Sequence, residues 1–398
     1  MQTDEENEAD GSANWFEDET GETDDFPIKE YDITASPNDF NTSTMFSFIE
    51  SGAVKIPGFQ RNYVWDIKRA SKLIESMIIG LPIPQIFLYE EARNKFLVID
   101  GQQRLMSIYY FIKQRFPRKE KRFELRRIFD EKGTVPEDVL HDDAYFVKFN
   151  LQLTERLPNR PNQLNKLNYG TLGELKTTFD LRTVRNIIIK QNAPDVDEDD
   201  SSSIYEIFNR LNTGGINLKP QEIRTSLYHS PFYDMLSRIN LAERWRDLLG
   251  VAEPDLHMKD IEILLRAFAM VMCGDEYKPS MTRFLNLTSK RAKSLPNEKV
   301  EYLEKLFYAF LDACKALPPK AFFGAQSARV NISFIDAVFA AQCAAAFATN
   351  SLEVRAADPD KLRRLKEDVD FVNAAQFDTA STVNVAKRLE RSKAILLG

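Results

Sequence analysis

The string Asp100-Gly101-Gln102-Gln103-Arg104 gathers, in five residues, side chains suited to phosphate chemistry. The apolar run 96–100 reads as a strand, and Leu105, Ile108, Tyr109 and Ile112 recur at the spacing of one helix face. The string therefore sits where a strand passes directly into a helix. Backbone N–H groups at a helix start, reinforced by the helix dipole, attract anions. Gly101 has no Cβ, so a ligand can approach the backbone. Arg104 offers a planar fork to phosphate oxygens. Gln102 and Gln103 both donate and accept, which suits the positioning of a water or a base edge. Asp100 could hold Mg²⁺ through oxygen. Taken alone, the same residues also read as an Asp100 N-cap followed by a Gly101 turn.

Three other segments carry candidate groups. In Phe59-Gln60-Arg61-Asn62-Tyr63-Val64-Trp65, polar residues are framed by aromatics. A charge such as Arg61 in that frame needs a partner, either an internal carboxylate or a ligand phosphate. In Phe208-Asn209-Arg210-Leu211-Asn212-Thr213-Gly214-Gly215, the two glycines fit a helix C-terminal cap. Asn209, Arg210 and Asn212 are left over from that explanation and could contact a base or sugar. Residues 113–127 hold eight bases: Lys113, Arg115, Arg118, Lys119, Lys121, Arg122, Arg126 and Arg127. Only Glu120 and Glu124 oppose them, so the run reads either as a solvated face or as a nucleic-acid phosphate contact.

The elements that must position these groups follow from pattern and punctuation. A short helix is expected over 43–50 and an extended piece over 53–56. Asp66 caps a helix whose Leu73, Ile74, Met77 and Ile78 share a face, and Gly80 ends it. Strands are expected over 85–89, 96–100, 142–151 and 183–190. Beyond Pro231 no strand is expected, and helices cover 231–238, 259–273, 298–316, 331–348, 359–373 and 380–396. The fold class is α+β, followed by an all-α rear region. Three segments are expected: an acidic disordered tail over 1–35, an α+β nucleotide-handling domain over 36–228 and a helical domain over 229–398.

Charge and composition narrow the function classes. Residues 1–25 contain eleven acids and no Lys or Arg, so 49 of the 60 acids remain in the body against 53 bases. The net charge of −7 is thus a property of the tail. Such a segment buries too little apolar surface to offset its ordering entropy. Cys273, Cys314 and Cys343 are the only cysteines and have no CxxC spacing, which points to reduced thiols and a cytoplasmic protein. The longest apolar run, near 337–348, is too short to span a bilayer, so no membrane association is expected. No GxxxxGK[ST] or GxSxG string occurs. His141, His229 and His257 are the only histidines and form no metal-binding pattern.

The ordered set Phe-Gln-Arg-Asn-Tyr-Val-Trp, Asp-Gly-Gln-Gln-Arg and Phe-Asn-Arg-Leu-Asn-Thr-Gly-Gly-Ile-Asn-Leu resembles the N-terminal domain family of GmrSD-type restriction endonucleases, with a ParB/sulfiredoxin-like fold. The resemblance covers roughly residues 40–290. It implies nucleoside triphosphate binding and hydrolysis coupled to restriction of modified phage DNA. Carried onto this chain, it marks Asp100, Gln102, Gln103 and Arg104 as catalytic. It marks Gln60, Arg61, Gly101, Asn209, Arg210, Asn212, Gly214 and Gly215 as nucleotide-binding. The chain departs from full-length members in having no histidine after His257, which puts an HNH nuclease in its rear part in doubt. The expectation is a nucleotide-hydrolysing defence component that acts on DNA with a separate nuclease or effector. Its rear helices would dock or oligomerise, and Mg²⁺ would accompany the nucleotide. The alternatives are a ParB-like DNA-binding switch without hydrolysis and a Mg²⁺-dependent nickase using Asp100 with acids near 195–200.

Overall fold

The computed structural model describes residues 15–16, 33–56, 63–122, 124–125, 128, 135–154, 162–191, 205, 207, 210, 219–255, 257–324 and 329–398. The chain divides into two compact units, Lys29–Ser226, and Leu227–Gly398 together with the N-terminal segment Met1–Ile28.

The first unit is built on a five-stranded mixed sheet. Its strands are β1 (Ile33–Asn41), β2 (Val54–Lys55), β3 (Ile86–Ala92), β4 (Lys95–Asp100) and β7 (Thr183–Gln191), in the order β1-β7-β3-β4-β2. β1 runs antiparallel to β7, β7 parallel to β3, β3 antiparallel to β4, and β4 parallel to β2. The β3–β4 hairpin turns at Asn94, which takes a positive φ of 60°, a conformation that asparagine tolerates. α1 (Thr42–Glu50), α2 (Ile67–Ile79) and α3 (Gln102–Ile112) accompany the sheet. Asp66 caps α2 by accepting from the Arg69 amide, and Gly80 ends it in the left-handed region at φ 90°. Ile74, Met77, Val98, Leu105, Ile108 and Phe111 contribute to one buried core.

Two expectations for this unit are corrected. β1 begins at Ile33, inside the stretch read as a disordered tail, because Ile33, Thr34 and Ala35 pair with Gln191, Lys190 and Ile189. A cross-strand partner about 150 residues away leaves no local signal. The strand expected over 142–151 shrinks to β6 (Phe146–Lys148), which pairs only with β5 (Arg115–Pro117) in a separate two-stranded ladder. Its start is consumed by a turn in which Asp142 accepts from the Ala144 amide. A short helix, α4 (Glu137–His141), precedes that turn, and α5 (Leu175–Asp180) leads into β7.

Among its described residues the second unit has no strand longer than an isolated bridge. After α6 (Pro220–Leu227), where the units meet in sequence, it comprises α7 (Pro231–Asn240), α8 (Glu243–Leu249), α9 (Lys259–Cys273), α10 (Met281–Ala292), α11 (Asn297–Ala313), α12 (Ile332–Thr349), α13 (Pro359–Glu367), α14 (Val369–Gln376) and α15 (Thr382–Leu397). The α+β architecture with an all-α rear region therefore holds. α10 is absent from the expected set because its buried face includes Thr282, Asn286, Thr288 and Ser289, which hide the apolar period. The helix expected over 359–373 is broken at Asp368, which caps α14 by accepting from the Phe371 amide at 2.9 Å. Phe268, Phe307 and Phe339 meet at centroid distances of 5.3–5.6 Å in the core. Among the described helices, α12 alone is long and apolar enough to cross a membrane, but 72% of it is buried inside the protein. The cysteines are free thiols, and burial pushes the Cys314 thiol up to about 12.

Candidate functional site

The junction of β4 and α3 is organised by Gly101. It is the N-cap position of α3, at φ 100° and ψ 7° in the left-handed region, and it makes no side-chain cap bond. A Cβ there would lie 2.8 Å from Cγ1 of Ile86 and 3.2 Å from Nη2 of Arg104. Glycine is thus required twice, for its backbone angle and for the close approach of β3. Gly101→Ala is expected to cost about 2–4 kcal/mol, combining the left-handed penalty with overpacking. Urea denaturation followed by circular dichroism would show it, and a wild-type midpoint would contradict this account.

Asp100 is not an N-cap. As the last residue of β4, it accepts a hydrogen bond from Nη2 of Arg104 at 2.7 Å. The same Nη2 donates to the Gln85 carbonyl at 3.1 Å. The Arg104 side chain is 16% exposed and that of Asp100 40%. Nε of Arg104 is buried and finds no acceptor among the described residues. A buried donor without an acceptor is uncommon in folded proteins, and it lies in a string already suited to anions.

Gln103 has a more structural part than its sequence position suggested. Its Oε1 accepts from the Val64 amide at 2.9 Å and from the Trp65 amide at 3.3 Å. That oxygen holds the segment just after the Phe59–Asn62 motif against α3. Arg122 holds the same segment from the other side, with Nη2 donating to the Trp65 carbonyl at 2.9 Å. The Arg122 guanidinium lies 5.3 Å from the Tyr63 ring centroid, and burial lowers its pKa. Tyr63 closes the clamp through its hydroxyl, 2.8 Å from Oγ of Ser107, which in turn donates to the Gln103 carbonyl. Burial pushes the Tyr63 phenol well above its usual range. Gln102 is half-buried at the first position of α3.

The other expected site residues fare unequally. Gln60, Arg61, Asn209, Asn212, Gly214 and Gly215 lie outside the described residues, as do Arg126, Arg127 and the acids at 195–200. Arg210 is helical and exposed. The basic run turns largely inward to protein partners. Lys113 pairs with Glu50 at 2.9 Å and Glu137 at 2.8 Å, Arg115 with Asp143 at 2.8 Å, and Lys121 with Glu124 at 2.8 Å. Burial works against the Lys113 charge, but the two carboxylates outweigh it and raise its pKa. Arg118 donates to the Asp143 carbonyl at 2.8 Å. Lys119 is exposed. Within the run, Lys113, Arg115 and Lys121 thus already face carboxylates, and Arg118 and Arg122 donate to backbone carbonyls. Among the described residues no three His, Cys, Asp or Glu side chains gather as a metal site.

Residues 42–229 match the family described as GmrSD restriction endonuclease, N-terminal domain. The chain carries a GmrSD N-terminal domain. That match runs from α1 through α6 and takes in every strand of the five-stranded sheet except β1, including the β4–α3 junction and its clamp. A relative from Methanocaldococcus jannaschii, the uncharacterized protein MJ0686, is 25% identical over 247 residues, covering 49% of this chain and 41% of the relative. The chain thus spans about two-fifths of the length of the curated relative it matches. No solved structure matches the chain. Sequence reasoning missed the supporting groups of the GmrSD domain: Gln85, Ile86, Val64, Trp65 and Ser107. Only the polar Ser107, one helical turn after Gln103, left a signal that could have been read.

Proposed function

We propose that the chain is the nucleotide-binding and nucleotide-hydrolysing component of a restriction-like defence system, acting on DNA with a separate nuclease or effector. The observation that carries this reading is Arg104, held beside Asp100 at the start of α3 with a buried Nε that has no acceptor among the described residues. A triphosphate oxygen supplies that acceptor, with the α3 dipole favouring its charge. Phosphate then replaces Asp100 as the partner of Arg104. Charge developing in the transition state meets a preorganised fork. The Asp100 carboxylate so released could hold Mg²⁺ together with nucleotide phosphates, the arrangement that ion commonly takes. Mg²⁺ would supply neutralisation of phosphate charge. Gln103 keeps the segment following Gln60 and Arg61 against α3, which supports those two residues as further nucleotide contacts.

Residues 258–398 hold no histidine, so the rear helices themselves supply no histidine-dependent nuclease centre. The exposed apolar side chains Val369, Phe377 and Val383 on the rear helices offer a surface for that effector or for another copy of the chain. The test is phosphate release from ATP, GTP, CTP and UTP, with and without DNA. Turnover of at least one nucleotide is expected. Binding without release from any of them would leave the non-hydrolysing switch, and no binding at all would reject both readings.

A further inference from the structure

A second cleft lies in the GmrSD domain, away from the five-residue string in sequence. It has a volume of about 440 Å³ and is lined by Lys68 and Lys72 from α2 and by Asn150, Gln152, Asn165 and Lys166 from two facing segments. None of its described lining residues is acidic. We propose that this cleft binds the phosphate backbone of DNA.

Its walls are fixed by hydrogen bonds. The Gln152 amide donates to Oγ of the buried Ser71, which ties the 150–154 segment to α2 at 2.9 Å. The Lys166 amide donates to the Leu151 carbonyl, and the Leu151 amide to the Leu167 carbonyl, both at 2.8 Å. Those two bonds hold Lys166 at a φ of 68°, a conformation that lysine rarely adopts. The chain thus places an ammonium group at the cleft through an unfavourable backbone angle.

Its charged side chains are all cationic. The ammonium groups of Lys68, Lys72 and Lys166 make no ion pair or hydrogen bond with any described residue. Lys68 and Lys72 are four residues apart on one helix, where like charges repel in the absence of a counter-ion. Oδ1 of Asn165 accepts from the Leu153 amide, and Oδ1 of Asn150 accepts from Nδ2 of Asn168. Both asparagines therefore keep their NH₂ groups for a ligand. The contrast with the basic run is direct. Lys113, Arg115 and Lys121 are denser in sequence but already paired with carboxylates. The cleft lysines are sparser and unpaired. The cleft also begins three residues beyond Trp65, whose amide Gln103 holds, so α2 links it to the nucleotide-binding junction.

This inference rests on the reading that the chain acts on DNA. It is tested with Lys68→Gln/Lys72→Gln/Lys166→Gln, which removes the three charges and, at the two helical positions, keeps helix propensity similar. A control, Lys278→Gln/Lys305→Gln/Lys393→Gln, removes three exposed charges from the helical unit. Binding of a labelled duplex is followed by anisotropy between 50 and 200 mM salt, with binding of labelled nucleotide and melting temperatures measured alongside. The cleft variant is expected to bind DNA about tenfold or more weakly, with a salt slope shallower by about 2–3. The control is expected to follow wild type. Equal losses in both variants, or an unchanged slope in the cleft variant, would overturn the proposal. So would loss of nucleotide binding with DNA binding intact. If wild-type protein binds no DNA, the DNA part of the functional reading falls as well. If it binds DNA and only the cleft variant fails to differ, that reading stands and the cleft alone is rejected.

Discussion

Arg104→Ala is expected to lower nucleotide turnover by about 10²–10³, the usual loss when one preorganised donor to a transition state is removed. The fork would be lost from a position where Nη2 is set by Asp100 and Gln85 and Nε has no acceptor among the described residues. Stability should change little by comparison. The Asp100 carboxylate is 40% exposed, and a pair that accessible is worth about 1 kcal/mol or less. Arg104→Lys keeps the charge but not the planar fork, so it should recover only part of the rate. Steady-state phosphate release, measured alongside thermal melting, separates rate from folding. A folded Arg104→Ala protein with wild-type turnover would remove Arg104 from the chemistry.

Asp336→Ala is expected to give the largest loss of stability, about 3–5 kcal/mol. Oδ2 of Asp336 on α12 accepts from Nη2 and Nε of Arg266 on α9 at 2.8 and 3.2 Å. Both side chains are only 2% exposed. Removing the carboxylate takes the opposite charge away from a guanidinium in the helical core, where bulk water cannot screen it. For a unit of this size the loss corresponds to a fall in melting temperature of roughly 6–20 °C. Replacing both partners, Arg266→Met with Asp336→Leu, should restore most of the stability because no buried charge remains. Scanning calorimetry of the three proteins distinguishes the cases. A loss below about 1 kcal/mol in Asp336→Ala would mean that α9 and α12 are held by their apolar faces alone.

Local signals accounted for the elements and caps nearest the candidate site. Asp66 and Gly80 bound α2 because a short acceptor at an N-cap and a glycine at a left-handed C-cap act within one turn of the chain. The passage from β4 through Gly101 into α3 was legible for the same reason. Strand β1 was not, since among the described residues its strand partner is β7, and Ile33, Thr34 and Ala35 look like tail until Ile189, Lys190 and Gln191 lie beside them. Helix α10 was not, since its buried face carries Thr282, Asn286, Thr288 and Ser289, of which Thr288 and Ser289 donate to carbonyls one turn back and Ser289 also meets the Tyr233 hydroxyl at 2.9 Å.

Sequence determined that Asp100, Gly101 and Arg104 stand together, because a strand end, a turn and one helical turn bring them within reach whatever the remainder of the chain does. Tertiary structure decided what each is for. It made Asp100 the partner of Arg104 rather than a cap, turned Gln103 and Arg122 into a clamp on the 63–65 segment, and matched Lys113 with Glu50 and Glu137. Whether a charge is available to a ligand depends on carboxylates and carbonyls brought close in space. Charge density along the sequence carries no record of those neighbours, so the dense basic run proved largely paired while Lys68, Lys72 and Lys166 did not.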